Sequence, residues 1–171
     1  MSQSEAYSKA VEQSALENVV LVSSSFEMDP RVLTDNDQLE RYIDQRVTNI
    51  EFDDQSQLLF GTVECRVWAC LSGVENKREN EEAPSVPKLL ALEAKYMVIF
   101  KILGEHDREV IDMFFRKMGP FTTWPYFRVH VAGVAAEAHI DLPVLPIKKL
   151  LFPIKSVGGY IDPEAPSSSD E

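Results

Sequence analysis

Every second residue between Leu58 and Leu71 is small or apolar: Leu59, Gly61, Val63, Cys65, Val67, Ala69 and Leu71. The alternates, Leu58, Phe60, Thr62, Glu64, Arg66, Trp68 and Cys70, are mixed. A period of two predicts a strand with one core face and one wetter face. Phe60 and Trp68 on the wetter face are either covered by another element or open to a partner. Val86–Lys101 repeats the pattern, with Leu90, Leu92, Ala94, Tyr96, Val98 and Phe100 on one side. Arg46–Phe52 alternates as well. Val19–Glu27 is a β-branched run ending before Asp29-Pro30, with Val20, Val22, Phe26 and Met28 expected on one face. Residues 31–43 and 72–87 are polar and charged and read as connections. Four strands without helices between them predict an antiparallel meander or Greek key.

Helical spacing appears at both ends. Gln3–Leu16 carries Ala6, Tyr7, Ala10, Val11 and Leu16. Residues 104–118 carry Val110, Met113, Phe114 and Met118 and predict a short helix. Trp124, Phe127, Val131, Val134 and Ala138 then recur at steps of three and four. In this reading Pro120 ends the short helix. A second, longer helix starts at Trp124-Pro125-Tyr126, with Pro125 in its first turn and Thr122 or Thr123 as its cap. The expected fold class is α+β, with that helix covering one face of the sheet. Leu142–Ile147 reads as an extended crossing, and Lys148–Phe152 as a single turn. The division is an arm over 1–16, a domain over 17–155 and a flexible acidic tail over 156–171.

The chain of 171 residues is long enough for one sizeable core. Its formal charge of −11 opposes nucleic acid or an anionic membrane as the main partner. No apolar run reaches membrane-spanning length and no secretory signal is visible, so a cytoplasmic location is expected. Cys65 and Cys70, five apart on one strand, point to opposite faces and cannot pair there, which fits packed thiols in a reducing compartment. His106, His130 and His139 have no metal-ligand spacing. No phosphate loop or serine elbow is present, so no cofactor is expected. Glu64, Glu93 and His130 are the residues nearest to acid–base chemistry, but their spacing does not support an enzyme.

Two short segments carry a family resemblance. Ser25-Phe26-Glu27 followed by Pro30 is similar to the Ser-Phe-Glu-x-Pro signature of SecB-type export chaperones. Trp124-Pro125-Tyr126-Phe127-Arg128 resembles the aromatic-Pro-Tyr-Ala-Arg segment opening their main helix. Ile99-Phe100-Lys101-Ile102 is similar to their fourth strand, and Leu145-Pro146-Ile147 to their Pro-Pro-Ile. The resemblance runs from Val19 to Phe152. It implies a holding chaperone that binds unfolded polypeptides without ATP, assembled as a homotetramer, a dimer of dimers. It also implies delivery to the ATPase SecA through acids on the sheet. Of those acids, Glu27 and Glu93 match, whereas Ser23 and Val129 stand where the family has acids. Some family members are instead dedicated chaperones of antitoxins in toxin–antitoxin systems. A specific protein-binding adaptor is the remaining alternative.

A holder needs open apolar surface. Phe60, Trp68, Tyr96, Phe121, Trp124, Tyr126, Phe127 and Val131 are the candidates for lining a client groove between sheet and helix, since aromatic side chains bury much area while tolerating varied shapes.

Overall fold

The computed structural model describes residues 2–33, 39–71, 88–140 and 145. The expectations for the 72–87 connection, the Lys148–Phe152 turn and the 156–171 tail lie outside these residues, as does most of the 142–147 crossing. The described residues form helix α1 (Gln3–Glu12), strand β1 (Ser14–Met28), a 3-10 turn (Pro30–Leu33), strands β2 (Leu39–Asp53), β3 (Leu58–Leu71) and β4 (Leu90–Ile102), and helix α2 (Arg108–Ala138).

The sheet order is β1-β4-β3-β2, antiparallel throughout. Strands β2, β3 and β4 form a meander, and the first strand lies beside the last, which makes the connectivity a Greek key. The predicted alternation holds on β3 and β4, where every apolar-face position from Leu59 to Ala69 and from Leu90 to Phe100 is buried. β2 is longer than predicted: Leu39 to Gln45 extends the strand back into what reads as a polar loop. Leu39 is buried in a small cluster with Val32, Ala69, Leu89 and Leu90, and Ile43 pairs with Val67.

On β1 the expected face is only half right. Ladder irregularities at Glu17 and Val22 leave each as the extra residue of a bulge. A bulge shifts the parity of every side chain beyond it. Phe26 and Met28 pair with Leu92 and Leu90 on the core side, whereas Val20 pairs with Met97 on the opposite face.

α1 opens with a capping box, in which Ser2 and Glu5 satisfy each other's backbone N–H. Its buried Ala6 and Ala10 join the core, and Tyr7 lies under the Lys117 ammonium at 4.4 Å.

The two predicted C-terminal helices are one. α2 continues through Pro120 and Pro125. Thr123 is a fully buried mid-helix residue, not a cap, and its hydroxyl donates back to the Gly119 and Pro120 carbonyls. Gln45 Nε2 donates to the Pro120 carbonyl from β2 at 3.2 Å. These polar contacts and the packing of both flanking turns outweigh the breaks that proline normally imposes. The helix ends at His139, which takes the left-handed cap conformation at φ 55°.

The path of α2 follows from its contacts. Ser24, Ala94, Cys65 and Gln45 form one row across the four strands. Thr123 lies over Cys65 at 3.9 Å, and His130 Nε2 is hydrogen-bonded to Ser24 Oγ at 2.6 Å. Two strand spacings are about 10 Å, and the helical rise from Thr123 to His130 is also about 10 Å. The second half of α2 therefore crosses the strands at a steep angle, from β3 to β1.

Candidate functional site

The aromatic segment Trp124–Phe127 belongs mostly to the core. Trp124 is 3% exposed and Phe127 fully buried, with their rings tilted at 6.1 Å. Val131, one turn further on, is 2% exposed. Tyr96 faces them from β4; burial, then the neighbouring Cys65, pushes its phenol up to about 12. These four residues seal the helix onto its own sheet, so the expected groove between helix and sheet is filled by the chain's own side chains. The reason is geometric. Crossing the strands steeply, α2 lays each inward residue over the flat core face, where a large ring fills the gap.

The other candidates stay accessible but do not meet in one groove. Tyr126 is 48% exposed on the outer side of α2, near Val129 at 74%, while Phe121 is half-buried. Phe60 and Trp68 are half-buried on the far face of the sheet, which neither helix covers. Trp68 stacks on Tyr42 at 5.5 Å and 16°, and Lys88 Nζ lies 5.5 Å from its ring.

Apolar exposure that the pattern did not single out runs along β1. Leu16, Val20, Leu21 and Val22 are all more than a third exposed. β1 is an edge strand, so its outer backbone groups have no partner strand among the described residues. The available signal was Val19-Val20-Leu21-Val22 itself: four apolar residues without alternation, which on an edge strand leaves some of them in water. The Ser24–His130 bond fastens α2 to this strand.

The uncovered face also holds the acids expected to meet a partner ATPase. Glu27 is exposed near the end of β1, and Glu93 on β4 is half-exposed and lies 3.5 Å from Arg66. Next to Glu93, on the side away from Glu27, is an ion network. Glu64 accepts from Lys95 and Arg46, each at 2.8 Å, with Arg66 at 3.5 Å. The Lys95 and Arg46 contacts hold its carboxyl below the usual range.

Cys65 lies in the core beside Thr123. Cys70 is buried at the other parity, and burial raises its thiol above the ordinary value. Among the described residues, no helix is long and apolar enough to cross a membrane.

No family model and no curated protein matches the sequence. In three dimensions the chain is similar to the SecB-like chaperone Rv1957 of Mycobacterium tuberculosis, solved in complex with a ChAD peptide from the Rv1956 HigA1 antitoxin. The TM-score is 0.65 at 11% identity, covering 85% of this chain and 97% of that one. The fold is the SecB-like one that the two short segments implied.

Proposed function

We propose that this protein is a holding chaperone of the SecB-like type, a non-enzymatic binder of unfolded polypeptides that works without ATP or another cofactor. Its client surface is the apolar strip formed by β1 and the outer side of α2: Leu16, Leu21, Val22, Tyr126 and Val129. The observation that carries this reading is the exposure of these large side chains on a SecB-like fold. Apolar surface contributes roughly 25 cal/mol per Å2 on burial, so an extended strip offsets the entropy of ordering a client segment. The same exposure, with an open edge strand, supports assembly into a homotetramer, and the cytoplasm is the proposed location.

A second reading is favoured by one observation. The similar structure holds an antitoxin peptide, which supports a dedicated antitoxin chaperone as the specialised form of the same activity. Handover to SecA has less support: Ser23 is uncharged and Glu93 is held by Arg66, leaving Glu27 as the matching acid outside that network.

The test is light scattering of several unrelated unfolded proteins diluted from denaturant, without nucleotide. Near-stoichiometric protein is expected to suppress aggregation of most of them. The double change Tyr126→Ser with Val129→Ser removes that protection while leaving the fold intact. Protection of a single client supports the dedicated reading. Protection of none refutes both.

A further inference from the structure

Between Lys117 and Glu137, α2 carries one formal charge, Arg128. The outer side of this stretch is Pro125, Tyr126, Val129, Ala132, Gly133 and Ala136, all exposed. A Cβ built on Gly133 meets nothing within 4 Å. Arg128 is half-buried and stands at the margin of that side. Its helical neighbours, three and four residues away, are Trp124, Pro125, Val131 and Ala132, and none is an acid. Elsewhere in the fold Arg31, Arg46, Arg66 and Arg116 each pair with a carboxylate, and Arg108 donates to the Ile50 carbonyl at 3.4 Å. Arg128 forms no ion pair among the described residues, and its Nε is buried without an acceptor. Acids are not scarce: the chain has 28 of them against 17 lysines and arginines. The helix places its lone cation where none of the described acids reaches.

We propose that Arg128 selects the clients: the segment that lies on this side of α2 is apolar and carries one side-chain carboxylate, which the guanidinium takes. The inference rests on the client-surface reading above and names the class of client. Docking an apolar segment strips water from the guanidinium. Against a neutral segment the charge loses that hydration and gains nothing. A basic segment adds repulsion. An Asp or Glu set against the terminal nitrogens forms charge-assisted hydrogen bonds, two at once where the planes align. No acceptor inside the described fold competes for the guanidinium. The formal charge of −11 confines the preference to an isolated acid, since each further carboxylate meets net repulsion. Hydrogen bonds to charged groups of this kind correspond to about ten- to hundredfold in affinity.

The experiment uses the full-length protein and three fluorescent peptides, blocked at both ends so that only a side chain can supply a carboxylate. They share one sequence rich in leucine, valine and phenylalanine and differ in a single central Glu, Gln or Lys. Affinity is read by fluorescence anisotropy, folding by circular dichroism and mass by sedimentation velocity. Wild type is expected to bind the Glu peptide about tenfold or more tightly than the Gln peptide, and the Lys peptide most weakly. Arg128→Lys keeps that order. Arg128→Gln removes the difference between the Glu and Gln peptides. Arg128→Glu reverses the order in favour of the Lys peptide, a swap that a merely structural arginine would not produce. Where Arg128→Glu does not fold, Arg128→Gln decides.

Wild type binding the three peptides alike, or a folded Arg128→Glu that still prefers the Glu peptide, overturns the proposal. So does a change of mass in Arg128→Glu with the peptide order unchanged, which assigns the cation to a contact between copies. In these cases the client surface stands if Tyr126→Ser with Val129→Ser weakens all three peptides. Wild type that binds no peptide but still suppresses aggregation overturns the proposal alone. Wild type that does neither sinks the client surface and this inference together.

Discussion

Gly61→Ala tests how tightly α2 is held to the sheet. Gly61 lies in the first half of β3, opposite Val98 and Ile50, and a methyl built on it would overlap the outer edge of the Phe115 ring. That ring cannot step aside freely. A Cβ on Gly119 would itself lie 2.8 Å from it, Phe100 meets it edge-on at 6.1 Å, and it is fully buried. Overpacking a core that cannot relax costs about 1–3 kcal/mol. The upper end applies here, because the ring is confined on three sides. For a chain of this size about 3 kcal/mol lowers Tm by roughly 6–12 °C. Phe115→Leu alone leaves a cavity and costs about 2–3 kcal/mol, within the range for large-to-small core changes. In the double variant the smaller side chain leaves room for the methyl. The two costs should therefore fall short of adding by at least ~1 kcal/mol in a denaturant-melt cycle. A Gly61→Ala variant within ~0.5 kcal/mol of wild type, or strictly additive costs, would refute the claim that this ring locks helix to sheet.

Trp124→Ala should cost about 3–5 kcal/mol of stability in a denaturant melt, as a core truncation does, whereas Tyr126→Ser should stay within about 0.5 kcal/mol. Equal and small losses would mean that Trp124 is not sealed. Glu64 and Asp29 have lowered folded values, Glu64 through Lys95 and Arg46 and Asp29, to about 2, through Arg31. Their contribution is present above the unfolded carboxylate range and is lost as pH falls through the folded values. Stability should therefore decline below about pH 4.5, and Glu64→Gln should flatten that acid limb in urea melts from pH 3 to 7; an unchanged slope would remove Glu64 from the account. Thiol labelling of the native protein should be slow at both Cys65 and Cys70, which are at most 2% exposed, and complete in denaturant. Rapid native labelling at Cys65 would show α2 lifting off the sheet.

Much of the fold was legible in the chain because its two central strands are buried on one side only. Burial on one face forces a strict alternation, so β3 and β4 declare their core sides residue by residue. The charged residues Glu64, Arg66, Glu93 and Lys95 of the ion network are likewise written in β3 and β4, but only the register sets them beside one another. The helical region was misread where a local rule met a stronger tertiary term. Pro120 and Pro125 each remove one backbone donor, yet Gln45 and Thr123 supply local polar contacts and Phe115, Trp124 and Phe127 lock the flanking turns down. The helix therefore runs on through both prolines.

The sequence by itself determined the run of four strands followed by helix, the inward faces of β3 and β4 and the order of elements that marks a SecB-like fold, because these depend on spacing along one strand or helix. Only the tertiary structure decided which aromatic residues meet water. The steep crossing of α2 buries Trp124, Phe127, Val131 and Tyr96, and the bulges at Glu17 and Val22 set which side chains of β1 face the core and which face away. Exposure is a property of what lies opposite a residue, and what lies opposite is fixed by register and helix path, neither of which leaves a period in the chain.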